Sequence, residues 1–217
     1  MGRGPAILVA AIAAVLVVTS PAVADDAEGA FHLELSPRLA RTEDARERED
    51  FATMPGLALG LRGSYGLTDH LAAEVTVGGV FGFGTTLPDQ RTDTGVLADL
   101  RQNEHAAFAT TGLTARLGVR FVPTLTLQVG YQHRVLPDAD FIDPATGFDL
   151  RMPVTAHARD DLIVVAGVGL DYRIDKHWII GVQVRASYAL PVGDGDYRAI
   201  ELPIHIAYYS YPEMWFR

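Results

Sequence analysis

From residue 57 onward the chain alternates. Leu57, Leu59, Leu61, Gly63, Tyr65 and Leu67 fall on one side of an extended backbone, and Ala58, Gly60, Arg62, Ser64 and Gly66 on the other. Side chains of a strand point to opposite faces in turn, so this stretch has one greasy face and one small or charged face. A helix would mix Leu and Arg on both sides, so the spacing predicts a strand. The same pattern recurs. Leu71, Ala73, Val75 and Val77 oppose Glu74, Thr76 and Gly78, and Leu113 to Phe121 alternate with Thr114, Arg116, Gly118 and Arg120. Leu125, Leu127, Val129 and Tyr131 oppose Thr126, Gln128, Gln132 and Arg134. Leu162 to Tyr172 alternate with Gly167, Gly169, Asp171 and Arg173, Trp178 to Tyr188 with Gln183 and Arg185, and Ile200 to Tyr208 with Glu201 and His205. At the start, Phe31, Leu33 and Leu35 oppose His32, Glu34, Ser36 and Arg38, which brings the total to eight strands.

The connections alternate too. Short turns are expected at Thr68-Asp69-His70, around Pro123 and at Asp175-Lys176, and long polar loops over roughly 42–54, 85–105, 136–160 and 191–197. Short and long connections in alternation predict an all-β fold, an eight-stranded antiparallel up-and-down transmembrane β-barrel with short periplasmic turns and longer extracellular loops.

Such a barrel can be greasy inside, as in soluble lipocalin-like binders, or greasy outside, as in membranes. The polar face carries Glu34, Glu74, Asp171 and Glu201 beside Arg38, Arg62, Arg116, Arg120, Arg134, Arg173 and Arg185, and it is rich in glycine. A narrow lumen needs small residues to admit long arginines, and buried arginines need carboxylates. A solvent-facing sheet has no such use for glycine. Aromatics near the strand ends (Tyr65, Phe81, Phe121, Tyr131, Tyr172, Trp178, Tyr188, Tyr208) fit interfacial girdles. The membrane orientation is therefore expected, with a soluble lipocalin-like barrel as the alternative.

The first 24 residues read as an export signal: Arg3, an unbroken apolar run from Ala6 to Val18, a break at Ser20-Pro21, and Ala22-Val23-Ala24 before Asp25. The run is shorter than the roughly 20 residues of a membrane-spanning helix. The expected division is a cleaved signal over 1–24 and the barrel over 25–217.

Composition narrows the function. The chain has no Cys, which excludes a disulfide scaffold, a thiolate zinc site and a thiol nucleophile. Its 18 basic and 27 acidic residues give a net charge of −9, against a nucleic-acid partner. Cleavage would remove Arg3 and leave −10. Counted over 42–54, 85–105, 136–161 and 191–198, the long loops hold 17 acids and 7 arginines, a difference equal to that whole mature charge.

The export signal, the eight strands and the turns Tyr65-Gly66-Leu67-Thr68-Asp69-His70-Leu71 and Tyr172-Arg173-Ile174-Asp175-Lys176-His177-Trp178 together resemble small outer-membrane β-barrel proteins of the OmpA-like transmembrane superfamily. The resemblance implies a Gram-negative outer membrane, contact with its lipids and lipopolysaccharide, and insertion by the barrel assembly machinery. Members usually end on an aromatic residue that this machinery reads. Here the alternation runs to Tyr208, but the chain continues through Trp215-Phe216 to Arg217. Either the signal tolerates the last arginine or the strand stops near Tyr209 and a tail follows.

Candidate chemistry is sparse. Seven lumen arginines against four acids would suit a narrow, weakly anion-preferring pore, although side chains roughly fill a barrel of eight strands. Asp138, Asp140, Asp143 and Asp149 invite a Ca²⁺ reading, but the spacing lacks the glycine and closing glutamate of an EF-hand, so a solvated loop and no metal are expected. His133 lies on the apolar face near a strand end, where a lipid-modifying enzyme would hold a catalytic histidine. No hydroxyl follows two residues on. There is no P-loop, dinucleotide fingerprint or HExxH, and no cofactor is expected. The expected role is non-enzymatic, structural or interactive, with the acidic loops as the surface for any extracellular ligand.

Overall fold

Leu61 is 61% exposed while its neighbour Arg62 is 1% exposed, and this inversion of burial runs along every stave of the barrel. A computed structural model describes residues 29–43, 51–92, 94–136, 139–154, 156–190 and 197–210. The proposed export signal and the tail from 211 lie outside the described residues.

The barrel strands are β1 (Gly29–Glu43), β2 (Phe51–Thr68), β3 (Leu71–Gly82), β6 (His105–Arg116), β7 (Phe121–Leu136), β10 (His157–Arg173), β11 (Trp178–Ala189), and a last stave made of β12 (Tyr197–Glu201) and β13 (Ile204–Ser210). Each pairs antiparallel with the next, and β12 and β13 pair with β1, closing the sheet with no free edge. The last stave is interrupted at Leu202-Pro203 because proline has no N–H to give the ladder. Its carbonyl still accepts from Gln183 N–H at 2.9 Å, and the inside–outside alternation passes through unchanged. Closure leaves no unpaired backbone row facing lipid, the condition for crossing a membrane with strands.

β2 has 18 residues and β7 has 16, more than the 9–11 or so that cross a bilayer. The barrel wall therefore continues beyond the membrane at the end opposite the termini. There the two longest loops are not irregular. The first carries β4 (Thr85–Arg91) and β5 (Leu97–Gln102), and the second carries β8 (Ala139–Ile142) and β9 (Asp149–Val154). β5 pairs with β8, so the two hairpins join into one four-stranded sheet in the order β4-β5-β8-β9.

The turn expected around Pro123 falls earlier. β6 ends at Arg116 and β7 starts at Phe121, so Pro123 lies within a strand and residues 117–120 form the turn. Gly118, at φ +110°, is the chain breaker, because a side chain is strained in that conformation. Leu117 N–H closes the turn onto the Pro123 carbonyl at 3.0 Å.

Asp175 organises the turn between β10 and β11. Its Oδ1 accepts from the backbone N–H groups of His177 at 2.7 Å and Trp178 at 2.8 Å, which holds the carboxyl below its usual range. Folding depresses this pKa, so the group stabilises fully above the ordinary carboxylate range and loses that effect as pH falls through the depressed value. The urea midpoint of an Asp175→Ala barrel is expected to depend less on pH in the acid range than that of the wild type.

Candidate functional site

The lumen holds ion pairs in three groups. In the middle, Glu34 on β1 accepts two hydrogen bonds from Arg185 on β11, Nη1 at 2.7 Å and Nη2 at 2.8 Å, and lies 2.9 Å from Arg62 Nε on β2. Glu74 on β3 takes the other side of Arg62 at 3.4 Å and meets Arg116 at 3.5 Å, while Gln128 Nε2 donates to it at 3.3 Å. The amides extend the net: Arg185 Nε donates to Gln183 Oε1 at 2.9 Å, and Thr110 donates to Gln128 Oε1 at 2.8 Å. Two-pronged guanidinium–carboxylate contacts of this kind are directional and fix both partners.

Toward the extracellular end, Arg134 Nε donates to Asp161 at 2.6 Å and lies 3.8 Å from Glu104 through Nη1. Arg38 reaches Glu201 at 3.5 Å and Glu104 at 3.9 Å. Tyr197, with no exposed surface, sits between the two cations, 4.2 Å from Arg134 and 5.3 Å from Arg38 to the ring centre. Toward the periplasmic end, Asp171 lies 3.2 Å from His205, and Arg116 stacks over Tyr209. His32 Nδ1 accepts from Arg62 at 2.9 Å, and its Nε2 meets the Ser64 hydroxyl at 3.3 Å. The space left is small. A void of about 20 Å³ borders Thr76, Gln128, Arg185 and Glu201, room for little more than one water.

Of the residues expected in the lumen, Glu34, Arg38, Arg62, Glu74, Arg134, Asp171, Arg185 and Glu201 are buried there, and Arg116 and Arg173 are half-buried near its periplasmic end. Arg120 is not among them. The early turn at Gly118 leaves it exposed, with Nη2 donating to the Tyr172 hydroxyl at 2.8 Å. Two acids assigned to loops by the sequence, Glu104 and Asp161, point inward instead. Both stand near strand ends above the greasy band, where the two faces no longer differ in polarity. Their burial changes the charge count. Arg159, 3.9 Å from Asp161, joins the lumen set, so among the described residues seven arginines meet six acids there rather than four.

A profile of the outer membrane protein β-barrel domain matches residues 10–209. The chain belongs to that family. Among solved structures, Neisserial surface protein A resembles it at 11% identity and a TM-score of 0.54, over 82% of this chain and 97% of that one. A major outer membrane protein from Thermus thermophilus resembles it at 10% identity and a TM-score of 0.51, over 84% and 99%. The outer membrane enzyme PagL is similar at 15% identity and a TM-score of 0.43, over 79% and 97%. Among curated proteins no sequence matches. Likeness at this identity speaks to the barrel fold, and fold does not fix chemistry.

Membership places the barrel in the outer membrane with its apolar outer face against lipid. The even strand number puts the start of β1 and the end of β13 on one side, the periplasmic side in this family, and the β4-β5-β8-β9 sheet outside the cell. On that outer sheet, Asp143 takes part in a turn, accepting from Ala145 N–H at 2.9 Å and Thr146 Oγ1 at 2.7 Å, which lowers its carboxyl pKa. Asp138 lies outside the described residues, as does the side chain of Asp140.

Proposed function

We propose that this family member is a non-enzymatic scaffold: a barrel whose lumen is sealed to ions and whose wall displays the β4-β5-β8-β9 sheet to the exterior as an interaction surface. The observation that carries this reading is the interlocked lumen, where Arg62 and Arg134 have 1% exposure and carboxylates on both sides. A water-filled path would leave such groups partly wet. Among the described residues the match of seven arginines to six acids also cuts the excess of cations, on which an anion preference would rest, from three to one. Purified protein in planar bilayers is expected to give no steady conductance. An anion current that changes selectivity in an Arg185→Gln barrel would overturn the reading.

The enzymatic alternative rests on the outer-face histidine that the sequence singles out. His133 Nδ1 lies 2.6 Å from Asp160 Oδ1 on the outer face, and the Tyr131 hydroxyl donates to the same carboxylate oxygen. Around His133 that face offers Tyr131 and Val135 along β7, Ala107 across on β6 and Asp160 across on β10. The one hydroxyl in this set is already bonded to Asp160, which leaves the histidine a base with no neighbouring nucleophile. Lipid A from cells producing the protein is expected to keep its mass. A mass change that disappears with His133→Ala would overturn the non-enzymatic assignment.

A further inference from the structure

The turn between β6 and β7 differs from the other two turns at the periplasmic end. Those carry Asp69-His70 and Asp175-Lys176 at their tips. This one exposes Leu117, Val119 and Phe121, at 60%, 79% and 62%. The same turn carries Arg120 out of the lumen. Its guanidinium lies 5.5 Å over the ring of Tyr172 and donates through Nη2 to the Tyr172 hydroxyl at 2.8 Å, while Phe121 packs against that ring with 5.1 Å between centres. Arg173 stands beside it in the backbone, its N–H donating to the Arg120 carbonyl at 2.9 Å. Among the described residues neither arginine has a carboxylate within ion-pair distance. Asp171, two residues along from Arg173, lies against His205 at 3.2 Å, and Asp175 Oδ1 is taken by the N–H groups of its own turn. The buried Nε of Arg173 has no hydrogen-bond partner among the described residues.

An apolar turn tip standing in water would lose the hydrophobic gain that every other outward position of this strand pair makes. Leu117 and Phe121 instead continue the lipid-facing rows of β6 and β7, so the tip belongs in the inner leaflet. That sets the Arg120 guanidinium at the lower edge of the belt, where an arginine and a tyrosine keep their apolar stems in lipid and their polar ends among headgroups. One face of the guanidinium rests on Tyr172, and its fork is left to meet two oxygens of a phosphate at once. A headgroup with its own ammonium would set a third cation beside Arg120 and Arg173, so a head of net negative charge is favoured. From this placement we infer that Arg120, backed by the charge of Arg173, binds the phosphate of an anionic phospholipid of the inner leaflet, whose acyl chains run along Leu117, Val119 and Phe121. The lipid pins the β6–β7 corner and so fixes the height of the barrel in the membrane. The site lies at the opposite end from the β4-β5-β8-β9 sheet and is independent of what that sheet binds.

The test uses the full chain folded in nanodiscs, with native mass spectrometry to count the lipids retained. Three probes are compared: phosphatidylglycerol, phosphatidylcholine and inorganic phosphate. Wild type is expected to retain phosphatidylglycerol about fivefold more tightly than an Arg120→Gln barrel, the effect of one exposed charge contact. An Arg120→Lys barrel should fall between them, keeping the charge without the fork. Arg101→Gln removes the same charge from an exposed position on the outer sheet and should retain the lipid as wild type does. Phosphatidylcholine should bind wild type and Arg120→Gln equally weakly, and inorganic phosphate should not displace phosphatidylglycerol. Heat-modifiable gel mobility shows that each variant is folded, as expected for changes to exposed side chains. The assignment fails if Arg120→Gln keeps its phosphatidylglycerol, or if Arg101→Gln loses as much, which would make the effect one of overall charge. It fails too if phosphatidylcholine binds wild type as tightly, or if inorganic phosphate competes at matched concentration, which would make the site one for a soluble anion.

Discussion

A Glu34→Ala barrel is expected to lose its folded gel mobility at a much lower temperature and urea concentration than the wild type, a loss of about 3–5 kcal/mol. The carboxylate serves two guanidinium groups at once, accepting two hydrogen bonds from Arg185 and facing Arg62 at 2.9 Å. Removing it strands them unequally. Arg62 keeps Glu74 at 3.4 Å, whereas Arg185 loses the one carboxylate it pairs with among the described residues and keeps the Gln183 amide, with Glu201 beside it on the next strand but not in ion-pair contact. An uncompensated buried cation costs far more than a missing ion pair, because its hydration is not recovered. Adding Arg185→Met to Glu34→Ala should therefore restore part of the loss, and a double-mutant cycle should show strong coupling between the two positions. If Glu34→Ala melts like wild type, the lumen is wet and the sealed-barrel reading falls with it.

The second large effect is expected at Gly112. A Cβ there would lie 2.1 Å from the Leu127 carbonyl oxygen and 2.6 Å from the Gln128 Cα, backbone atoms of the neighbouring strand that no rotamer change can move aside. Gly130, on the partner strand two residues along the register, is confined in the same way by Ala109 and Thr110. The inner surface of so narrow a barrel is concave, and the strands approach most closely where glycine lets them. Gly112→Ala is expected to cost roughly 1–3 kcal/mol, and Gly112→Val to prevent recovery of a heat-modifiable barrel, since the strands must part to admit the branched side chain. Gly63 supplies the control. It faces outward, and a methyl group added there would meet nothing within 4 Å, so Gly63→Ala should change stability by no more than about 0.5 kcal/mol.

The membrane-crossing staves were legible because strand alternation is a local property: whether a residue faces in or out depends on its parity within its own strand. That is why Glu34, Arg62, Glu74, Arg134, Asp171, Arg185 and Glu201 were expected in the lumen and are buried there. Parity fails where its two assumptions fail. It carried Arg120 inward by running a strand through Gly118, whose positive φ turns the chain instead. It left Glu104 and Asp161 in loops because beyond the lipid both faces of a stave are polar and the contrast that marks a strand vanishes. The outer sheet escaped for a related reason: β5 and β8 come from different loops, and their pairing is visible only once β3, β6, β7 and β10 have brought those loops side by side.

The sequence by itself determined the number of staves, the face each shows to lipid, and the presence of buried arginines that require acids. Period-two patterning and the cost of burying charge suffice for all three. Only the tertiary structure decided which acid serves which arginine, because partners such as Glu34 and Arg185 stand 151 residues apart and meet only when the last staves close onto the first. Ion pairing across a closed barrel depends on the register between distant strands, and that register is fixed by the ladder of the whole sheet rather than by any segment of the chain.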